Sequence, residues 1–280
     1  MSMTRICTWF GVSRQAHYQK RQRQSRTAEQ ERKVLDKVRA VRQRHPRMGG
    51  RKLRHILGAE LEQEGLALGR DRFFDLLRHN DLLVKPVKRQ WRTTWPGVWR
   101  CPNRLAGLAI TQINQVWAAD ITYLETEQGF CYLSLLTDAY SRRIVGYDLS
   151  PSLSVEGALR SLEMAIEQAT SPLAGLIHHS DHGVQYTSHA YRDRLVENGM
   201  LSSMGEVGNC YENALAERMN GILKLEYGLD NLFVDFHQAR QAVREAVWLY
   251  NFERPHLALD YQVPAEFHAA HVLACQGLAT

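Results

Sequence analysis

The sequence lacks long hydrophobic runs and paired cysteines. No apolar stretch approaches the roughly 18 residues that a membrane-spanning helix needs, and residues 6–12 are too short for the apolar part of a secretory signal. Its 5 cysteines are widely spaced, odd in number and form no C-x-x-C pair. This excludes a disulfide framework and a zinc knuckle, and it is typical of a reducing compartment. We therefore expect a soluble, cytoplasmic protein.

Positive charge is abundant, but only at one end of the chain. Residues 1–100 hold 24 Lys/Arg and 9 Asp/Glu, a net charge of +15, whereas residues 101–280 hold 11 and 21, a net of −10. The two blocks sum to the overall +5. A basic block followed by an acidic one predicts a module that grips a polyanion, joined to a module that uses carboxylates. Solvated basic helices without a partner are the alternative.

The basic region has the pattern of a small all-α unit. Ser13 can cap a short helix that runs through Tyr18, and apolar spacing predicts further helices over residues 29–44, 51–64 and 70–80. The last two, joined by a glycine-containing turn, have the form of a helix-turn-helix. Arg70 and Arg72, at the start of its second helix, are candidate DNA contacts. Plain helical bundles share this pattern.

Residues 84–110 are predicted to be a linker in which basic residues alternate with Trp and Pro. Lys88, Arg89 and Arg92 are candidate DNA contacts there, since cations interleaved with tryptophans suit a phosphate backbone. A Pro-stiffened connector whose tryptophans pack on the next domain would show the same composition.

From about residue 115 the pattern becomes mixed α/β. β-Branched and aromatic residues predict strands over 116–124, 130–137 and 143–149, which would form an antiparallel meander. Helices are then predicted over 154–169, 191–197 and 213–227, and strands over 173–178 and 201–204. The helices can cover both faces of the sheet, so the fold class is α/β.

Three carboxylates in this region are candidates for catalysis and metal binding. Asp120 lies in an apolar strand, Asp181 follows the fourth strand, and Glu217 lies on the helix over 213–227. Carboxylates brought together repel one another, and such a cluster favours a hard cation with oxygen ligands, Mg²⁺ or Mn²⁺. Two such ions in one site would support phosphoryl transfer. Taken singly, the three could be an edge-strand Asp, a turn Asp and a solvated helix Glu.

Other polar residues compete for these roles. Asp138 also follows an apolar strand, but its turn contains Ser141, and we interpret it as structural. His178, His179 and His182 flank Asp181 without a Cys pair, so they make a poor zinc site and instead shape the loop or contact DNA. Lys224 lies two turns after Glu217 on the same helix face, which makes it a candidate phosphate contact.

The chain resembles bacterial insertion-sequence transposases of the integrase-core superfamily. The match is to the second-frame (OrfB) product of insertion-sequence family three. The motifs that carry the resemblance are W117-x-x-D-I-T-Y, D138-x-x-S-R-R-I-V-G, H179-S-D-x-G-x-Q-Y, G208-N-C-Y-x-N-A-x-A-E and Y250-N-x-E-R-P-H. Residues 204–207 lack the basic residues that many relatives carry, so a DNA contact there is not expected.

The resemblance implies a ribonuclease-H-like catalytic core with a D-D-E triad, here Asp120, Asp181 and Glu217. It implies that two Mg²⁺ ions, for which Mn²⁺ substitutes, assist nicking of element ends and transfer of the exposed 3′-hydroxyl into other DNA. Lys224 matches the basic residue seven positions after the Glu. Expected partners are terminal inverted repeats, target DNA, the first-frame protein (OrfA) or a fusion with it, and further copies of the chain, in the bacterial cytoplasm at the nucleoid.

The expected organisation has four parts. A helix-turn-helix region spans 1–83, a linker 84–110, the catalytic core 111–235 and a C-terminal helical extension 236–280. Two other functions stay open. One is a catalytically silent DNA-binding regulator of the same element. The other is a nuclease for RNA–DNA hybrids. The predicted recognition helix argues against this function, because the narrow major groove of a hybrid does not admit such a helix.

Overall fold

The computed structural model describes residues 9, 11, 13–84, 99, 101–205 and 214–277, without the side chains of 274–277. The chain divides into two compact units, Met1–Lys85 and Pro86–Thr280. No helix among the described residues is long and apolar enough to cross a membrane.

The first unit contains helices α1 (Arg14–Arg44), α2 (Gly50–Gln63) and α3 (Arg70–His79). The Ser13 hydroxyl caps α1 by accepting a hydrogen bond from the Ala16 N–H at 3.0 Å. The prediction of two separate helices before residue 45 is wrong, since α1 is continuous. No Gly or Pro lies between Tyr18 and Glu29, so nothing in the chain stops the helix there.

The three helices of this unit share one apolar core. Its residues recur at helical spacing and include Val34, Leu53 and Phe73. Gly50 begins α2 where a Cβ would lie 2.9 Å from the Phe74 ring, so a larger residue would require that ring to shift. The predicted pair of helices with a short connection, α2 and α3, is confirmed.

The second unit is built on a five-stranded sheet with the order β3-β2-β1-β4-β5. The strands are β1 (Val116–Thr126), β2 (Gly129–Asp138), β3 (Ile144–Ser150), β4 (Ile177–Ser180) and β5 (Leu201–Met204). The first three form the predicted antiparallel meander, whereas β4 and β5 run parallel to β1. The fourth strand begins later than predicted. Gly175, at φ +85, turns the chain just before it.

Helices cover both faces of this sheet. The helices α4 (Val155–Gln168), α5 (Val184–Thr187) and α6 (His189–Glu197) contribute to one core, and α7 (Ala214–Tyr227) and α8 (Phe236–Phe252) to the other. Side chains of β1 alternate between them, with Trp117 and Ala119 in the first core and Leu124 in the second. The α/β prediction is confirmed. Within the predicted C-terminal extension the chain forms α8, a 3₁₀ turn (Leu257–Leu259) and α9 (Pro264–Gly277).

A glycine in β3 sets the distance between α4 and the sheet. A Cβ at Gly146 would lie 2.0 Å from the carbonyl oxygen of Ser161 and 3.0 Å from the Cβ of Ala165. The obstacle is the backbone of α4, which cannot rotate away as a side chain can. Close helix–sheet packing here therefore requires glycine.

We expect Gly146→Ala to lower the free energy of unfolding of the second unit by about 1–3 kcal/mol, because it overpacks this contact. Thermal denaturation of the full chain measures the change. Gly58→Ala in α2 is the control, since a Cβ there meets nothing within 4 Å; helix propensity predicts a gain of up to about 1 kcal/mol. Equal stability of Gly146→Ala and the wild type would contradict the packing argument.

Candidate active site

Asp120 lies on β1, where two donors fix its carboxylate. Oδ1 accepts a hydrogen bond from the backbone N–H of Ile121 at 2.9 Å, and Oδ2 accepts one from the side-chain amide of Asn220 at 2.7 Å. Asn220 belongs to α7 and is buried. The contact therefore ties the central strand to the helix that carries Glu217.

Asp181 follows directly after β4, beside β1. Ala118 pairs with His179 in the parallel ladder, so two further residues along each strand bring the chain to Asp120 and Asp181. The Asp181 Oδ1 accepts a hydrogen bond from the Gly183 N–H at 2.9 Å. The parallel pairing explains how carboxylates 61 positions apart in the sequence become neighbours.

Gly183 provides space beside Asp181, and its backbone conformation is an ordinary one. It adopts φ −55 and ψ 142, which any residue can adopt, so the tight turn itself does not require glycine. A Cβ at this position would lie 3.0 Å from the Asp181 Oδ1. Glycine thus leaves space around the carboxylate.

Glu217 lies in the first turn of α7, and its side chain is exposed. Asn220, one turn further along the helix, holds Asp120. The helix begins at Ala214, immediately after residues 206–213, which the structure does not describe.

The three carboxylates interact electrostatically. Burial raises the pKa of Asp120 to about 7, and the negative charge of Asp181 raises it next, with a smaller effect from Glu217; the Asn220 and Ile121 hydrogen bonds oppose the shift. Among the described residues, however, no three His, Cys, Asp or Glu side chains stand close enough to hold a metal ion. The carboxylates thus share one electrostatic environment without forming a closed ligand set.

The donor set still fits a hard divalent cation. Every candidate ligand is an oxygen, and the Asn220 Oδ1 next to Asp120 is a further oxygen, buried and without a hydrogen-bond partner in the part of the chain that the structure describes. A cation would relieve both the repulsion between the carboxylates and the unsatisfied amide oxygen.

A buried tyrosine pair lies beside the two aspartates. The Tyr186 hydroxyl is buried and has no hydrogen-bond partner among the described residues, whereas the Tyr191 hydroxyl lies 2.9 Å from the His178 Nε2. Burial raises the pKa of Tyr186 well above its usual value, and Tyr191, Asp120 and Asp181 add to the shift. The sequence places Tyr186 in a motif with Asp181, but its environment could not be read from that motif.

The histidines around Asp181 have structural partners. His178 contacts Tyr191, the His179 Nδ1 lies 2.9 Å from the Ser203 hydroxyl, and the His182 Nε2 lies 2.6 Å from the Gly205 carbonyl oxygen. These contacts join β4, which contains His178 and His179, to α6 and β5, and they join His182 of the following loop to Gly205. Of the three histidines only His182 therefore lies in the loop, and contact with DNA stays a prediction.

Asp138 is fully buried in the turn between β2 and β3. Its carboxylate accepts hydrogen bonds from the Ser141 N–H, the Ser141 hydroxyl and the Asn114 N–H, each at 2.7 Å. The Ser141 hydroxyl also contacts His268 of α9 at 2.9 Å. These contacts confirm the structural interpretation of Asp138.

The motif around residue 254 stabilises α7 through contacts with its C-terminal part. Arg254 is buried, and its guanidinium forms two hydrogen bonds of 2.8 Å with Glu226 of α7. Asn251 bonds both the N–H and the carbonyl oxygen of Ile144 on β3, each at 2.9 Å. Arg254 belongs to the last of the motifs that carry the resemblance, and the structure gives it a partner on the helix that carries Glu217.

The chain matches two protein-family models, both described as "Integrase core domain", over residues 111–210 and 198–264. It is 37% identical over 270 residues to an insertion element IS600 uncharacterized 31 kDa protein from Shigella sonnei, covering 94% of this chain and 97% of that one. The chain belongs to the integrase-core family of insertion-sequence transposases. Its sheet and flanking helices are accordingly the ribonuclease-H-like core of that family.

Other members of this transposase family match over part of their length. The transposase of IS629 from Shigella sonnei is 38% identical over 158 residues, which is 56% of this chain and 53% of that one. Transposase InsF of IS3A from Escherichia coli K12 is 36% identical over 137 residues, 49% of this chain and 46% of that one.

The HTLV-2 integrase catalytic core in complex with magnesium is 19% identical over 56% of this chain and 97% of that one, with a TM-score of 0.45. That score is too low to support any inference.

The predicted DNA contacts of this transposase lie in different surroundings. The Lys224 Nζ is 4.3 Å from the centre of the Tyr123 ring, and Arg70 is exposed at the start of α3. Arg72 pairs with Glu31 of α1 at 3.2 Å, so DNA would have to compete for its guanidinium. Lys88, Arg89 and Arg92 lie outside the described residues.

The raised pKa of Asp120 predicts a pH dependence of stability in metal-free protein. The folded state binds a proton at this carboxyl more tightly than the unfolded state, since its pKa is about 7 rather than 3.8. The free energy of unfolding should therefore fall as pH rises from about 4 to about 7, by at most about 4 kcal/mol. Chemical denaturation in EDTA measures it. Asp120→Asn should lack this component; parallel pH profiles for the variant and the wild type would contradict the assignment.

The two tyrosines should respond differently to loss of the hydroxyl. Tyr186→Phe removes a buried hydroxyl without a partner, so the free energy of unfolding should be unchanged or rise by up to about 1 kcal/mol. Tyr191→Phe deprives His178 of its partner and should cost about 1–3 kcal/mol. Urea unfolding of both variants tests this. A similar loss in each would mean that the Tyr186 hydroxyl has a partner after all.

Proposed function

We propose that this protein cleaves the ends of its insertion sequence and joins the exposed 3′-hydroxyl to DNA by metal-dependent phosphoryl transfer. The observation that carries the proposal is the electrostatic coupling of Asp120 to both Asp181 and Glu217. Membership of the integrase-core transposases supplies the reaction class.

Asp120, Asp181 and Glu217 are the residues that would hold divalent cations, Mg²⁺ or in its place Mn²⁺, two per site. Such ions activate the attacking oxygen and stabilise the leaving oxygen of the phosphodiester. Asn220 orients Asp120 through its amide, and the Ile121 N–H holds the other oxygen of the same carboxylate. The backbone N–H of Gly183 positions the Asp181 carboxylate, and the missing side chain of Gly183 leaves space around that carboxylate.

The DNA would include the terminal inverted repeats of the element and a target. The basic excess of residues 1–100 and the short helix pair α2–α3 support contact with the ends, with Arg70 and Arg72 at the start of the second helix. Lys224, on the same helix as Glu217, would contact a phosphate close to the carboxylates. A first-frame protein and further copies of the chain are the proposed protein partners.

Neutralising the carboxylates tests the reaction. Asp120→Asn, Asp181→Asn and Glu217→Gln should each reduce Mg²⁺-dependent cleavage and joining of terminal-repeat DNA by about three orders of magnitude or more, because the ligands act as a unit. Gel analysis of end-labelled DNA measures both steps. Glu167→Gln, which removes an exposed carboxylate of α4, is the control and should keep wild-type rates. Wild-type rates in Glu217→Gln would refute the proposal.

A catalytically silent regulator is the second candidate. The observation that favours it is the absence, among the described residues, of three acidic or histidine side chains arranged for a metal ion. In that case the wild type would protect terminal DNA from nuclease without cleaving it in Mg²⁺ or Mn²⁺, with or without the first-frame protein.

A further inference from the structure

Three aromatic side chains share one face of the β1–β2 hairpin. Tyr123 and Tyr132 lie opposite each other in the ladder, and Phe130 precedes Tyr132 by two residues on β2. Side chains two apart along a strand point to the same face, so all three lie together. We call Tyr123, Phe130 and Tyr132 the aromatic platform.

The platform is accessible, and its backbone is held firmly. Phe130 is 54% exposed, and its ring meets the Tyr123 ring edge-on, with 5.3 Å between the ring centres. The alternate residues Leu124, Cys131 and Leu133 are buried in the core beneath the opposite face. The rings therefore stand on two strands that the core fixes in place.

The platform lies beside the candidate active site. Tyr123 follows Asp120 by three residues, about 10 Å along β1, and the odd spacing directs their side chains to opposite faces of the strand. Both are reached from α7, the helix that carries Glu217: Asn220 bonds Asp120, and the Lys224 Nζ lies 4.3 Å from the centre of the Tyr123 ring. A cation of that helix thus lies against the platform.

We propose that the platform stacks the bases of unpaired nucleotides at a DNA end while Lys224 contacts a phosphate of the same strand. The inference rests on the proposed function for the nature of the substrate. Aromatic rings stack on every base, whereas a paired duplex hides its base faces, so the platform selects single-stranded nucleotides.

The charges around the platform fit this orientation. Glu125 lies directly opposite Phe130 in the ladder, and Glu127 follows in the turn; both are exposed. These carboxylates repel phosphates from the Phe130 side, whereas Lys224 lies on the Tyr123 side. The strand would therefore place bases on the rings and a phosphate beside Lys224.

Binding of the full-length protein to two DNA probes in EDTA tests the inference. One probe is a blunt duplex of the element end, and the other has its last base pairs replaced by mismatches that include 2-aminopurine. The wild type should prefer the mismatched probe and quench 2-aminopurine fluorescence by stacking. Phe130→Ala and Phe130→Leu should reduce that preference about fivefold or more, whereas Phe130→Trp should keep it.

Val196→Ala, at an apolar side chain of α6 that is 72% exposed, is the matched control and should bind both probes like the wild type. Equal behaviour of the Leu and Trp variants, or no preference for the mismatched probe, would overturn the inference. A drop in the mass of DNA-free Phe130→Ala by light scattering would also overturn it, because the rings would then contact a second copy. Because EDTA prevents catalysis, failure of Mg²⁺-dependent cleavage alone would count only against the proposed function.

Discussion

Repulsion between Asp120 and Asp181 is the constraint around which the second unit is organised. The parallel pairing of β1 and β4 forces the two carboxylates together, and burial adds to the cost by raising the pKa of Asp120. The protein offsets part of that cost with two hydrogen bonds to Asp120 and one to Asp181. The remaining repulsion favours a bound cation.

Asn220 connects the repelling carboxylates to the position of α7. Its amide nitrogen holds Asp120 and therefore also fixes α7, on which Glu217 lies one turn earlier. Arg254, just after the end of α8, secures the same helix through Glu226, and Asn251 secures α8 to β3. A chain of polar contacts thus runs from the sheet edge to the candidate site, and Gly146 lets α4 pack closely on the opposite face.

Much of this organisation could be predicted because it depends on local patterns. β-Branched and aromatic residues marked β1, β2 and β3, and the strand predicted over residues 173–178 placed Asp181 after a strand. Two boundaries were less predictable. The continuity of α1 depends on the absence of a helix breaker, and the start of β4 depends on Gly175, whose backbone is left-handed. The role of Gly183 also depends on the tertiary structure: its backbone is ordinary, and only the nearby Asp181 carboxylate explains the missing side chain.

The sequence by itself determined the element types, the uneven charge and the identity of the candidate carboxylates, because periodicity, composition and motif spacing are properties of the chain. Only the tertiary structure decided which side chains meet. The contact between Asn220 and Asp120, the unpartnered Tyr186 hydroxyl and the approach of Lys224 to Tyr123 join residues from different elements. Distances across a sheet or between a helix and a strand are set by packing, which no local pattern in the chain encodes.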